Sequence, residues 1–187
     1  LNQLGPVAVA AYAASQKVDT IAIMPMMSFG MALAAYTAQN FGARRLDRIE
    51  LGVKKCMWMS GAFSLAAGAF NILCGPYIMY LFVGDGQQQV IDYGQLYLVI
   101  NGVCYLILSQ LFIYRYTLQG LGQTVVPTIA GIMELVMRAA AALVLVTHFG
   151  YIGACFASPL AWIGSCVPLA IAYYATRRTL RKKSCTA

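Results

Sequence analysis

The sequence predicts an all-α membrane protein, a polytopic bundle of transmembrane helices. Of its 187 residues, 60% are hydrophobic and only 10% are charged, against about 45–50% and about 25% in soluble globular domains. A folded chain of this size leaves much of itself at the surface, and in water that surface needs charged groups. The apolar runs are continuous, whereas the strands of a membrane barrel would alternate. Helices in a bilayer, whose backbone groups bond one another, are therefore expected.

Five apolar stretches are long enough to cross the membrane. A helical span needs about 20 mostly apolar residues, at about 1.5 Å of rise each, to cross about 30 Å of hydrocarbon. The predicted spans cover residues 5–38, 56–83, 93–114, 125–146 and 151–175. In the first of them the clearest segment is Val18–Ala38, and the apolar run Val7–Ala14 precedes it. The short connections favour antiparallel neighbours.

Positive charge is concentrated on one side of the predicted bundle. The connections 39–55 and 115–124 and the basic tail 176–187 hold eleven of the thirteen Lys and Arg residues, and the connections 84–92 and 147–150 hold none. Because basic loops stay cytoplasmic, we predict a multi-pass protein of the plasma (inner) membrane with a cytoplasmic C-terminus. Topology accounts for these charges, so we expect no nucleic-acid partner. The expected partner is the lipid bilayer, including anionic headgroups near the tail.

The first span carries a polar cluster and a proline. Ionisable residues within spans are costly and usually face the bundle interior. Two interpretations of Gln16, Lys17 and Asp19 stay open. They lie at the outer headgroup boundary, where Lys17 extends to water, or they line a water-filled cavity as substrate or ion contacts. Pro25 removes a backbone donor, and it either shapes packing or acts as a hinge.

The third span carries a polar stripe. Its members include Asn101, Ser109 and Gln110. Hydrogen bonds between helices explain such a stripe as well as substrate contacts do, so both interpretations remain.

The fourth span contains an acid and a base at helical spacing. Glu134 and Arg138 are four residues apart, with the acid first, so they share a face and can pair. Glu134 lies roughly 14 Å into its span, which is close to the middle of the bilayer. The pair is either a structural lock between helices or a gate or proton relay.

No pattern in the chain predicts catalysis or a metal site. The six cysteines show no Cys-x-x-Cys spacing, and the chain has one histidine, so neither zinc nor an iron–sulfur cluster is expected. The sequence offers no combination of nucleophile, base and orienting group. We predict neither enzymatic activity nor a cofactor.

Several segments, in order, carry a family resemblance. The stretch 8–49 reads AVAAYAASQKVDTIAIMPMMSFGMALAAYTAQNFGARRLDRI and includes the motif Gln39-Asn40-Phe41-Gly42-Ala43-Arg44. It is followed by Arg115-Tyr116-Thr117-Leu118-Gln119-Gly120-Leu121-Gly122, by Glu134-Leu135 with Arg138, and by Gly150-Tyr151-Ile152-Gly153-Ala154. Together they resemble the second lobe of MATE (multidrug and toxin extrusion) transporters.

The resemblance implies an architecture and a transport class. In that family twelve helices form two six-helix lobes, and this chain resembles helices eight to twelve, five spans of an expected six-helix lobe. The chain starts at Leu1, not Met, so the simplest interpretation is a fragment that lacks the N-terminal lobe of the same chain. The function implied is export of cationic or amphipathic small molecules in exchange for Na⁺ or H⁺ by alternating access.

One departure leaves the coupling ion open. Sodium-coupled members carry an acid in the middle of the tenth helix, and the corresponding stretch Leu108–Gln110 has no carboxylate. As the acid that couples transport to the ion, Glu134 in the middle of the membrane is the first candidate, and Asp19 is the second.

Two other functions remain as alternatives. The first is a lipid-linked oligosaccharide flippase of the same superfamily, which needs a strongly cationic cavity. The second is a non-transporting membrane assembly protein, whose intramembrane charges would be packed dry or lie at headgroups.

Overall fold

Four long helices form the described part of the chain. The computed structural model describes residues 5–84 and 87–185, with side chains as far as residue 182. The helices are α1 (Pro6–Gly42), α2 (Leu46–Val83), α3 (Gln88–Gly120) and α4 (Val125–Cys185). Each is long and apolar enough to cross a membrane, so the chain is an integral, multi-pass membrane protein.

The number of helices differs from the five separate spans that the sequence predicts. Residues 125–146 and 151–175 fall in the single 61-residue helix α4, which contains one non-helical residue, Gly150, with φ 58° and ψ −130°. Glycine adopts this backbone conformation without a Cβ clash. The predicted connection 147–150 therefore shrinks to one residue, with helical backbone on both sides.

The two halves of α4 on either side of Gly150 run antiparallel. The Ser165 hydroxyl donates to the carbonyl of Ala130 at 3.0 Å, and the Thr176 hydroxyl donates to the amide oxygen of Gln123 at 3.0 Å. Each contact joins a residue before Gly150 to a residue after it, and the Gln123–Thr176 contact lies further from the glycine than the Ala130–Ser165 contact. The glycine therefore folds α4 back on itself.

The third helix lies at the centre of the fold. It packs against all three other helices. Of its most apolar 18-residue stretch, 56% is buried inside the protein, against 6% for α4. The outer helices thus present apolar side chains to the outside of the bundle, while α3 is packed against the other helices. Polar side chains on α3 must find partners within the bundle.

Helix α2 approaches α3 through two glycines. A Cβ added at Gly68 would lie 2.6 Å from the carbonyl oxygen of Gly102. Small residues allow such backbone contact between membrane helices.

We expect Gly68→Ala to destabilise the bundle by about 1–3 kcal/mol, as overpacking does. Thermal unfolding in detergent measures the loss. The matched control is Gly61→Ala on the same helix, because its Cβ would meet the Leu106 side chain at an ordinary 3.5 Å. Equal melting temperatures for the two variants would contradict the close approach.

The predicted basic tail is helical, because α4 continues through it to Cys185. The last two residues of the predicted tail 176–187 lie outside the described residues. The tail is tied to the start of α2: Arg177 donates two hydrogen bonds to the Glu50 carboxylate, at 2.9 and 2.8 Å, and Arg181 also bonds both of its oxygens.

We expect Glu50→Gln to release the tail. A partly exposed ion pair contributes about 1 kcal/mol at most, which corresponds to roughly fivefold faster trypsin cleavage at the tail arginines. The control is Asp47→Asn, because Asp47 forms an ion pair with the nearby Arg45 at an exposed site, and no tail residue of the described chain pairs with it. Unchanged cleavage of the Glu50 variant would show that the pair does not hold the tail.

Candidate functional site

One polar cavity brings together four of the predicted site residues. It measures about 340 Å³, and Gln16, Asp19, Glu134 and Arg138 line it. Its other walls come from α3 and from the second half of α4. They include Tyr97, Leu108, Phe112, Ser158 and Trp162. The cavity thus holds two acids and one base within an otherwise mostly apolar bundle.

Asp19 lies inside the bundle and has two phenol partners. Only 6% of it is exposed. The Tyr105 hydroxyl donates to one carboxylate oxygen, and the Tyr97 hydroxyl donates to the other at 3.3 Å. The amide of Asn71 on α2 donates to the Tyr105 hydroxyl at 2.9 Å. Three helices therefore hold this carboxylate.

Among the described residues, no cation lies within hydrogen-bonding distance of the Asp19 carboxylate, and Arg138 is the one base that shares its cavity. Of the ion pairs in the described part of the chain, none includes Asp19. A buried carboxylate without a direct ion-pair partner is costly in a bilayer. Phenol hydrogen bonds offset part of that cost, and a bound cation or proton can offset the rest.

Helical spacing explains how these groups meet. On α1, Ser15, Val18 and Asp19 are buried, whereas Gln16 and Lys17 lie on the exposed side. On α3, the tyrosines at 97 and 105 are eight residues apart and hence on one face.

The sequence analysis missed the role of these two tyrosines. Tyr97 lies near a predicted span end, as interfacial tyrosines do, but Tyr97 is only 1% exposed and Tyr105 is fully buried. The usable signal was the i, i+4, i+8 spacing of Tyr97, Asn101 and Tyr105.

Glu134 has two cationic partners. The predicted contact with Arg138 is present at 2.9 Å, and Arg115 donates to the other carboxylate oxygen at 2.6 Å. Arg115 also donates to the Ser165 hydroxyl at 3.3 Å, which links α3 to the second half of α4. The predicted connection 115–124 is helical as far as Gly120, because α3 continues through it, and Arg115 contacts residues of α4 from there.

The remaining predicted residues do not line the cavity. Lys17 is exposed. Asn101 and Ser109 are buried and donate to carbonyls of their own helix, at 3.0 and 2.9 Å. Gln110 faces α2, where its amide donates to the Met57 carbonyl at 3.4 Å.

Two further features concern the hinge and metals. Pro25 is half-buried within an α1 that stays helical on both sides of it, and its role as a hinge stays a prediction. Within residues 5–84 and 87–185, no three His, Cys, Asp or Glu side chains lie close enough to form a metal-binding group.

Comparisons with known proteins identify relatives. The family model MatE matches residues 1–144. The chain is 26% identical over 138 residues to the probable multidrug resistance protein YoeA of Bacillus subtilis (strain 168), a match that covers 72% of this chain and 29% of the relative.

Solved structures share the fold. A crystal structure of MATE in complex with MaL6 matches with a TM-score of 0.87 at 20% identity, over 97% of this chain and 42% of that one. An inward-facing multidrug resistance MATE family transporter of the MOP superfamily matches with a TM-score of 0.86 at 19% identity, over 97% and 44%. A MOP superfamily transporter from Pyrococcus furiosus, described as having a binding pocket of reverse polarity, matches with a TM-score of 0.77 at 20% identity, over 95% and 41%. The chain thus spans less than half the length of these relatives.

Proposed function

Because the chain belongs to the MatE family, we propose that it forms the second lobe of a secondary antiporter that exports cationic or amphipathic small molecules. In this proposal the two halves of α4 act as separate spans, so that five spans end at a cytoplasmic C-terminus. The other lobe of the same transporter supplies the opposite wall of the substrate pathway. Alternating access of a central site by rocking of two lobes is a common mechanism of such transporters.

The observation that carries the proposal is the Asp19 carboxylate. It is buried, it lines a polar cavity, and its hydrogen-bond partners are phenols rather than cations. An inward-moving Na⁺ or H⁺ can bind there and supply the missing positive charge. Occupancy of the site then differs between the two states of the transporter, which is the requirement for coupling.

Glu134 has a different role in this proposal. Its charge is already balanced by Arg115 and Arg138 at 2.6 and 2.9 Å. It acts as a structural link between α3 and α4, and Asp19 replaces it as the first choice for the coupling acid.

The other two functions fit the cavity less well. A flippase for a pyrophosphate headgroup needs several unpaired cations, and the cavity lining holds two acids and one base. In a non-transporting assembly protein the intramembrane charges would be packed without a water-filled cavity. A cavity of about 340 Å³ accommodates roughly ten water molecules at about 30 Å³ each.

The test is ethidium efflux from cells that express the complete gene product. We expect efflux that depends on a gradient of Na⁺ or of H⁺ and stops when that gradient is collapsed with an ionophore. Vector-only cells provide the control. Absence of gradient-dependent efflux for ethidium and for other organic cations would contradict the antiporter and favour the flippase.

A further inference from the structure

A second, apolar groove lies outside the polar cavity, between α2 and α3. It measures about 470 Å³ and is open to the side of the bundle. From α2 it is lined by Lys54, Met57, Trp58, Gly61, Ala62 and Leu65. Leu106 and Gln110 form the α3 wall. Each of these α2 residues has another of them three or four positions away, so the set forms one face of that helix.

The groove is open to the outside of the described bundle along its length. Trp58 is 75% exposed and Leu65 is 60% exposed. Gly61 forms the floor, because the absence of a side chain there leaves the space between the two helices free. From Lys54 to Leu65 the groove extends about 16 Å along α2, which is about half of the roughly 30 Å hydrocarbon core and hence one leaflet.

A cation lies at one end of the groove. Lys54 also lines a neighbouring polar pocket of about 410 Å³ that includes Tyr174 and Arg177. In the described part of the chain, Lys54 makes no ion pair. The nearby carboxylates are already paired, Glu50 with Arg177 and Asp47 with Arg45. An unpaired ammonium group thus joins a polar pocket to an apolar groove.

We propose that an anionic phospholipid of the cytoplasmic leaflet binds here, with its phosphate at Lys54 and one acyl chain along the groove. Basic pockets between membrane helices on the cytoplasmic side bind anionic headgroups, and Lys54 supplies the complementary charge. Trp58 lies one turn further along α2, at a depth that suits an interfacial aromatic residue. The site is separate from the Asp19 cavity, and its placement in the cytoplasmic leaflet rests on the cytoplasmic C-terminus of the proposed function.

The experiment compares two lipids that differ in headgroup charge. The full-length protein in detergent is titrated with dioleoyl phosphatidylglycerol or with dioleoyl phosphatidylcholine, and thermal unfolding reports binding. We expect phosphatidylglycerol to bind about fivefold more tightly, as one charge contact near the surface implies. Lys54→Gln should remove this preference, whereas the matched change at the adjacent exposed lysine, Lys55→Gln, should retain it.

The groove itself is tested by filling it. Ala62→Trp should weaken binding of both lipids, whereas Ala66→Trp, at another exposed position of α2 outside the groove, should not. Ala62→Leu is the second variant if the tryptophan prevents folding. Equal binding of both lipids to the wild type, an unchanged preference in Lys54→Gln, or full binding to a folded Ala62 variant would each overturn the proposal and indicate non-specific annular lipid.

Discussion

Asp19→Asn is expected to lower gradient-driven efflux by roughly ten- to hundredfold while the protein stays folded. The substitution keeps the shape of the side chain, and the amide oxygen still accepts a hydrogen bond from a tyrosine hydroxyl. It removes the negative charge that a cation or proton would neutralise. Loss of one hydrogen bond to a charged group costs about 1.5–3 kcal/mol, which gives that range of rates. Ethidium efflux from cells with matched expression levels measures the effect.

Three further variants test whether the loss of efflux in Asp19→Asn comes from the carboxylate site itself. Tyr97→Phe and Tyr105→Phe each remove one hydroxyl donor from the carboxylate and should give intermediate losses. Lys17→Gln changes an exposed residue that does not line the cavity, so it should transport at the wild-type rate. Wild-type, gradient-dependent efflux by Asp19→Asn would exclude this carboxylate as the coupling site.

Glu134→Gln is expected to cause a large loss of stability. Removal of one partner from this partly buried ion pair leaves the Arg115 charge without its carboxylate and costs about 1.5–3 kcal/mol, as loss of a hydrogen bond to a charged group does. Most of this loss arises at Arg115, because its side chain is only 20% exposed and water cannot fully replace the carboxylate. Arg138 is 46% exposed, so water can hydrate it. Thermal unfolding of the purified protein measures the change.

A double-mutant cycle separates this structural role from coupling. The double variant Arg115→Gln with Glu134→Gln should be more stable than the sum of the two single losses implies, because neither charge is then left alone. Arg138→Gln should lower the stability of the protein less than Arg115→Gln does. Ethidium efflux by the Glu134→Gln protein that does fold should still require the ion gradient. Loss of that requirement would instead make Glu134 the coupling acid.

Local spacing predicted much of the helical structure. The apolar runs indicated where helices lie, and the four-residue spacing indicated that Glu134 and Arg138 meet. Neither the position of a helix nor the contact between residues four apart depends on distant parts of the chain. The sequence did not indicate that Arg115 is the second partner of Glu134, because the two residues are nineteen positions apart and lie on different helices.

The sequence by itself determined the membrane class and the family, because hydropathy and ordered motifs are properties of the chain. Only the tertiary structure decided which polar residues share a cavity. Asp19 acquired its two phenol partners because α1 and α3 pack closely, and the contacts join residues 78 and 86 positions apart. The single-residue reversal at Gly150 likewise depends on the two halves of α4 packing against each other. Helical spacing determines on which face of its helix a residue lies, and the packing of the helices determines which residue it contacts.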